Sequence, residues 1–83
     1  YTALAVASFK GHAAVVELLC DAGADVEAEA EGDTPLCLAS RRGRVEVVRL
    51  LLRRGAVPTA RARSQARDKG HLEVLDLLEV GGA

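Results

Sequence analysis

Apolar positions along this chain come in short bursts at helical spacing. In the middle, Val45, Val47, Val48, Leu50, Leu51 and Leu52 form a stripe, with Glu46, Arg49 and Arg53 interleaved on the opposite side. That period predicts an amphipathic helix closed by Gly55. Ahead of it, Thr34-Pro35 reads as another helix start, because Thr can cap free N–H groups and Pro has none to lose at the first helical position. This first helix is expected to run to about Arg42, where Gly43 permits the turn into the second. The two-helix pattern repeats. Sliding the sequence by 32 superposes Thr2 on Thr34, Leu4 on Leu36, Ala7 on Ala39, Ser8 on Ser40, Gly11 on Gly43, Val15 and Val16 on Val47 and Val48, Leu18 and Leu19 on Leu50 and Leu51, and Gly23-Ala24 on Gly55-Ala56. A third copy lies 27 further on and matches Ala39 to Ala66, Gly43 to Gly70, Glu46 to Glu73, Val47 to Val74, and Leu50-Leu51 to Leu77-Leu78. Its missing positions fall between Ala56 and Arg61, and Thr59 after Pro58 offers an earlier cap.

The expected fold is therefore all-α, a helical solenoid of about three helix–turn–helix repeats joined by short hairpin loops, the last one truncated. It forms one domain over residues 1–83: a first repeat at 1–28 without its leading hairpin, a second at 29–58, and a divergent C-terminal capping repeat at 59–83. Ser64, Gln65 and Arg67 give that last repeat the polar surface a cap needs. No repeat buries its apolar stripe alone, so stacking must supply the core.

Thr34-Pro35-Leu36-Cys37-Leu38-Ala39 resembles the T-P-L-H-x-A signature of ankyrin repeats, a family with a period of about 33. Cys37 stands where that family prefers His. The first copy, Thr2-Ala3-Leu4-Ala5-Val6-Ala7, lacks both the Pro and the His. Gly11-His12 and Gly70-His71 resemble the family's Gly-His pair, while the second copy has Gly43-Arg44. Val15-Val16, Leu18-Leu19 and Gly23-Ala24-Asp25-Val26 complete a likeness that covers essentially the whole chain. The resemblance implies a protein-interaction module whose partners meet the hairpin tips and the two residues before each Gly. Those pairs are Phe9-Lys10, Arg41-Arg42 and Asp68-Lys69, and the residue before each signature Thr is Tyr1 or Asp33. Both rings of the chain, Tyr1 and Phe9, thus fall on expected contact positions, or else against a preceding repeat.

Composition changes the picture in three ways. Of 83 residues 49% are hydrophobic but only 2% aromatic, so Ala, Val and Leu must fill thin interfaces between stacked helices. The sequence contains no Met, which suggests a piece of a longer protein. Cys20 and Cys37 lack a C-x-x-C spacing and suit a reducing intracellular compartment, cytoplasmic or nuclear. No apolar run reaches the roughly 20 residues of a membrane span.

The net charge of -1 conceals a strong asymmetry. Residues 1–40 balance at -6, residues 41–69 at +8 and residues 70–83 at -3. The acids alternate through Asp25, Glu27, Glu29, Glu31 and Asp33, which would place them on one side of an extended hairpin. The bases, from Arg41, Arg42 and Arg44 through Lys69, are spread over several helices without interleaved aromatics, so nucleic acid is disfavoured. Pairing within the chain with the acidic hairpin, or a face for an acidic protein, is expected instead. No nucleophile–base pair, phosphate loop or metal-ligand spacing is present, so no catalytic residue, metal or cofactor is expected, and no small-molecule substrate. His12 and His71 suit hydrogen bonding between repeats. The expected function is binding a protein segment of mixed charge across the hairpin tips and the inner-helix face: Tyr1 and Phe9 as apolar anchors, Glu29, Glu31 and Asp33 for basic groups, Arg41, Arg42 and Lys69 for acidic ones, with Lys10 and Asp68 alongside. The alternatives are a purely structural cap of a longer array, nucleic-acid binding by the basic half, and self-association through an uncapped N-terminal face.

Overall fold

The computed structural model describes residues 2–81 and contains six helices: α1 Ala3–Lys10, α2 Ala13–Asp21, α3 Pro35–Arg42, α4 Val45–Arg53, α5 Ala60–Asp68 and α6 Leu72–Gly81. They form three antiparallel pairs, α1–α2, α3–α4 and α5–α6. The inner helices α1, α3 and α5 stack in one row and the outer helices α2, α4 and α6 in a second. The inner row packs more tightly than the outer one. Small side chains cause this: Ala5, Ala7, Ala39, Ala62 and Ala66 are buried on inner helices, whereas the outer row relies on Val16, Val47, Val48, Leu50, Leu51, Val74 and Leu78. Unequal spacing of the two rows bends the stack and makes the inner face concave.

Each inner helix begins at a threonine. The hydroxyls of Thr2, Thr34 and Thr59 accept hydrogen bonds from the N–H groups of Ala5 (3.0 Å), Cys37 (3.3 Å) and Ala62 (3.2 Å). Each cap satisfies one of the donors that a helix start leaves open. Thr59 therefore takes up the cap of the third repeat two residues earlier than the 27-residue offset would put it, and α5 starts directly after a short connection. The Sγ of Cys37, in the position the family gives to His, accepts from the Thr34 hydroxyl at 3.4 Å and lies 3.9 Å from the Thr59 hydroxyl. A weaker sulfur contact thus links the second and third repeat starts.

The alternating acids do not share one extended side. Between α2 and α3 the only bridge among the described residues joins Ala30 and Asp33 around a tight turn, with Glu31 at φ 55° and Gly32 at φ 83°. Two consecutive positive φ angles are what a type I′ turn requires. This reversal leaves Glu29 and Glu31 exposed while Asp33 turns inward and is only 5% exposed.

Apolar surface remains on three helices, beginning with Val6 of α1. Val15 and Leu18 on α2 are 45% and 68% exposed, although Val47 and Leu50, their counterparts in α4, are buried. Leu72 and Val80 on α6 are exposed as well. No described helix is long and apolar enough to cross a membrane.

Candidate functional site

The concave face is built from side chains that the repeat places at equal heights on α1, α3 and α5. Two adjoining concavities open there. One, of about 370 Å³, is lined by Ala5, Val6, Phe9 and Lys10 of α1 and Leu38 and Arg41 of α3. The other, of about 430 Å³, is lined by Phe9, Arg41, Arg42, Lys69 and His71. Phe9 and Arg41 border both, so the two form one continuous groove with an apolar half and a basic half. The Arg42 guanidinium lies over the Phe9 ring, 4.7 Å from its centroid. Such a cation–π contact ties the ring to the basic half.

The groove's floor is fixed by contacts that cross from one repeat to the one before it. The Nε2 of His71 donates to the carbonyl of Arg41 at 3.1 Å, and its ring covers Gly43. One repeat earlier, Arg44 stands where His would be and does the same work with a longer arm: its Nε donates to the carbonyl of Phe9 at 3.1 Å, and its side chain covers Gly11. The two carbonyls are repeat equivalents, both one residue before the end of an inner helix, where intrahelical donors run out. His71 therefore has the inter-repeat role read from its position, and Arg44 takes the same role by chemistry the Gly-His pattern does not show. His12, in the first copy, is exposed.

Asp33 ends the reversal between α2 and α3 and reaches across α3 to the third repeat. Its carboxylate accepts from Arg41 Nη2 at 2.6 Å and from Arg61 Nε at 2.8 Å, and Arg41 Nε donates in turn to Gln65 Oε1 at 3.3 Å. Burial alone would raise the Asp33 pKa, but the hydrogen bonds from Arg61 and Arg41 and their charges outweigh it and hold the carboxyl below the ordinary carboxylate value. Two expected contact residues, Asp33 and Arg41, are thus engaged with each other. The hairpin's reversal at Glu31-Gly32 is the reason, since it folds Asp33 back over α3.

Other charges pair within the chain too. Arg54 bonds Asp21 across α4 and α2, Arg49 meets both Glu46 and Glu73 at 3.3 Å, and Glu27 accepts from the Val57 N–H at 3.3 Å. Of the bases expected to pair with the acidic hairpin, Arg41 and Arg61 meet its Asp33, whereas Arg49 and Arg54 pair with acids on helices instead. Lys10, Arg42, Asp68 and Lys69 stay exposed on the inner row, and Phe9 is half-buried. Tyr1 lies outside the described residues. Cys37 is buried and Cys20 half-buried, both as free thiols, and burial pushes the Cys20 thiol up, against an opposing pull from Arg54. Among the described residues no three His, Cys, Asp or Glu side chains converge as metal ligands.

The family comparison agrees with this architecture. The profile of ankyrin repeats (3 copies) matches residues 1–62. Ankyrin repeat and KH domain-containing protein 1 of Homo sapiens is 46% identical over 91 aligned residues, which take in 99% of this chain and 4% of the human protein. Ankyrin repeat and KH domain-containing protein mask of Drosophila melanogaster is 46% identical over 86 residues, covering 93% of this chain and 2% of that protein. Mask-1 of Caenorhabditis elegans, also named as an ankyrin repeat and KH domain-containing protein, is 38% identical over 91 residues. The chain spans a few per cent of the length of these relatives, which are named for their domains and not for a reaction. Three stacked helix pairs with threonine-capped inner helices, matched by the repeat profile over residues 1–62, make this chain a member of the ankyrin repeat family.

Proposed function

We propose that the chain binds an extended segment of a partner protein along the groove of its inner helices, with the hairpin tip as a second contact. Ankyrin repeats are in general protein–protein interaction modules, and within that class the continuous groove through Phe9 and Arg41 carries this reading. A half-buried ring beside aliphatic Val6 and Leu38 offers a seat for one apolar side chain, and aromatic and Arg residues are enriched among interface hot spots. Glu29 and Glu31 at the tip would receive basic groups of the partner, while Lys10, Arg42 and Lys69 would receive acidic ones. The partner segment is accordingly of mixed charge, in keeping with an intracellular binding module. Asp68 and Arg41 border the same face, and Tyr1, outside the described residues, matches Asp33 in sequence register.

A protein partner crosslinked to the wild-type chain tests this directly. Its affinity for Phe9→Ala should fall roughly tenfold or more. Its affinity for Arg49→Ala, on the outer face, should stay unchanged. Equal affinities for both variants would remove the groove from the proposal.

The polar surface of α5 supports a second, compatible role. Arg61, Ser64 and Arg67 are exposed there, the polar surface that a capping repeat of a longer array needs.

A further inference from the structure

The groove carries one cation per repeat at the same height. Lys10 is the last residue of α1, Arg42 the last of α3, and Lys69 caps the end of α5. All three are exposed, and no ion pair holds any of them among the described residues. Elsewhere Arg41, Arg49, Arg54 and Arg61 meet carboxylates, Arg44 and Arg63 donate to backbone carbonyls, and Arg53 and Arg67 lie outside the two concavities. Lys10 borders the apolar concavity, Arg42 and Lys69 border the basic one, and Phe9 lies between. Asp68 is the acid of the same row, next to Lys69.

Resting on the proposed groove reading, we infer that the partner segment is acidic where it crosses this row, with carboxylates about three residues apart and one apolar side chain seated against Phe9, Val6 and Leu38. The spacing follows from geometry. Packed helices stand about 8–10 Å apart, and a polyproline II segment advances about 3.1 Å per residue with three residues per turn, so neighbouring cations face residues i, i+3 and i+6 on one side of a segment crossing the helices. Charge complementarity selects the partner's sign, because three unpaired cations in line repel one another and an approaching acidic segment relieves that repulsion. Cations at helix C-termini also complement the helix dipole. That role stabilises the fold without a ligand, so folding and binding are measured separately.

The probes are fluorescein-labelled peptides with glutamate at every third position and one leucine between the first two glutamates. Controls replace the glutamates with glutamine or move them to every second position. Each is titrated into the ¹⁵N-labelled 83-residue chain, with circular dichroism confirming the fold of every variant. The acidic probe should shift the amides of Val6, Phe9 and Leu38 and weaken as salt rises. Lys10→Gln, Arg42→Gln and Lys69→Gln should each cost about two- to fivefold in affinity. The triple variant should lose roughly tenfold or more, whereas Lys10→Arg, Arg42→Lys and Lys69→Arg together should retain binding. Asp68→Asn should tighten it about twofold. Equal binding of the glutamine probe at the same amides would overturn the acidic inference and leave the groove reading standing. Equal binding of the every-second-position probe would overturn the register. If no probe moved the groove amides, the inference would fall, and Phe9→Ala against the crosslinked partner would then judge the groove itself.

Discussion

Asp33 concentrates more of the structure's consequences than any other side chain. It is nearly buried, it holds Arg41 and Arg61 together, and those arginines belong to different repeats. Replacing it with Ala should lower stability by about 1–2 kcal/mol in denaturant unfolding, because a charged hydrogen-bonded acceptor is lost while both arginines retain partial access to water. The pH dependence follows from the sign of its shift. A carboxyl whose folded pKa lies below its unfolded value contributes fully above about pH 4 and loses that contribution as pH falls through the folded value. Unfolding followed from neutral to strongly acidic pH should show wild-type stability dropping in that window and Asp33→Asn dropping less. Gly43 gives a second residue-scale expectation. Its φ is +69°, and a Cβ there would meet the His71 ring at 2.6 Å. Gly11 has a similar φ, +79°, but a Cβ would meet the flexible Arg44 arm at 2.8 Å. Both alanine variants strain the backbone, by about 1 kcal/mol or more, yet only Gly43→Ala must also displace a hydrogen-bonded ring. Thermal unfolding should therefore rank Gly43→Ala below Gly11→Ala.

At the scale of elements, α5 depends on its cap. It carries Arg61, Arg63, Ser64, Gln65 and Arg67 and buries only Ala62 and Ala66. With so little apolar area, the Thr59 hydroxyl matters more to α5 than Thr34 does to the apolar α3. Thr59→Ala should cost about 1 kcal/mol, read as faster amide exchange confined first to α5 and α6. All six helices and all three threonine caps were legible in the sequence, because a local period and a local capping rule determine them. The link between Asp33 and Arg61 was not, since it depends on how the hairpin folds back. The pattern of alternating acids suggested an extended arm with one charged side, but a single Gly after Glu31 let the chain reverse instead. Arg44 was hidden for a related reason. Its role comes from the carbonyl it reaches, and a pattern of residue types does not reveal that the place of an imidazole can be taken by a guanidinium.

For the whole molecule, the unequal faces matter most. The C-terminal repeat presents charge on α5 and Leu72 and Val80 on α6, whereas α2 presents Val15 and Leu18 at positions that the second repeat buries. A further repeat, or a second copy, fits that apolar face. Leu18→Glu should reduce any concentration-dependent rise in sedimentation coefficient while leaving helicity unchanged. An unaltered rise would assign association to another surface. The reach-back contacts have a temporal consequence. His71 and Arg44 each satisfy a carbonyl of the repeat that precedes them in the chain, so α1 and α3 are each completed by a residue synthesised after them. On the ribosome, a repeat can close only once the Gly and its successor in the following repeat have emerged. Synthesis therefore runs one unit ahead of consolidation, and a pause placed between repeats leaves the last-made inner helix with its C-terminal end unlatched.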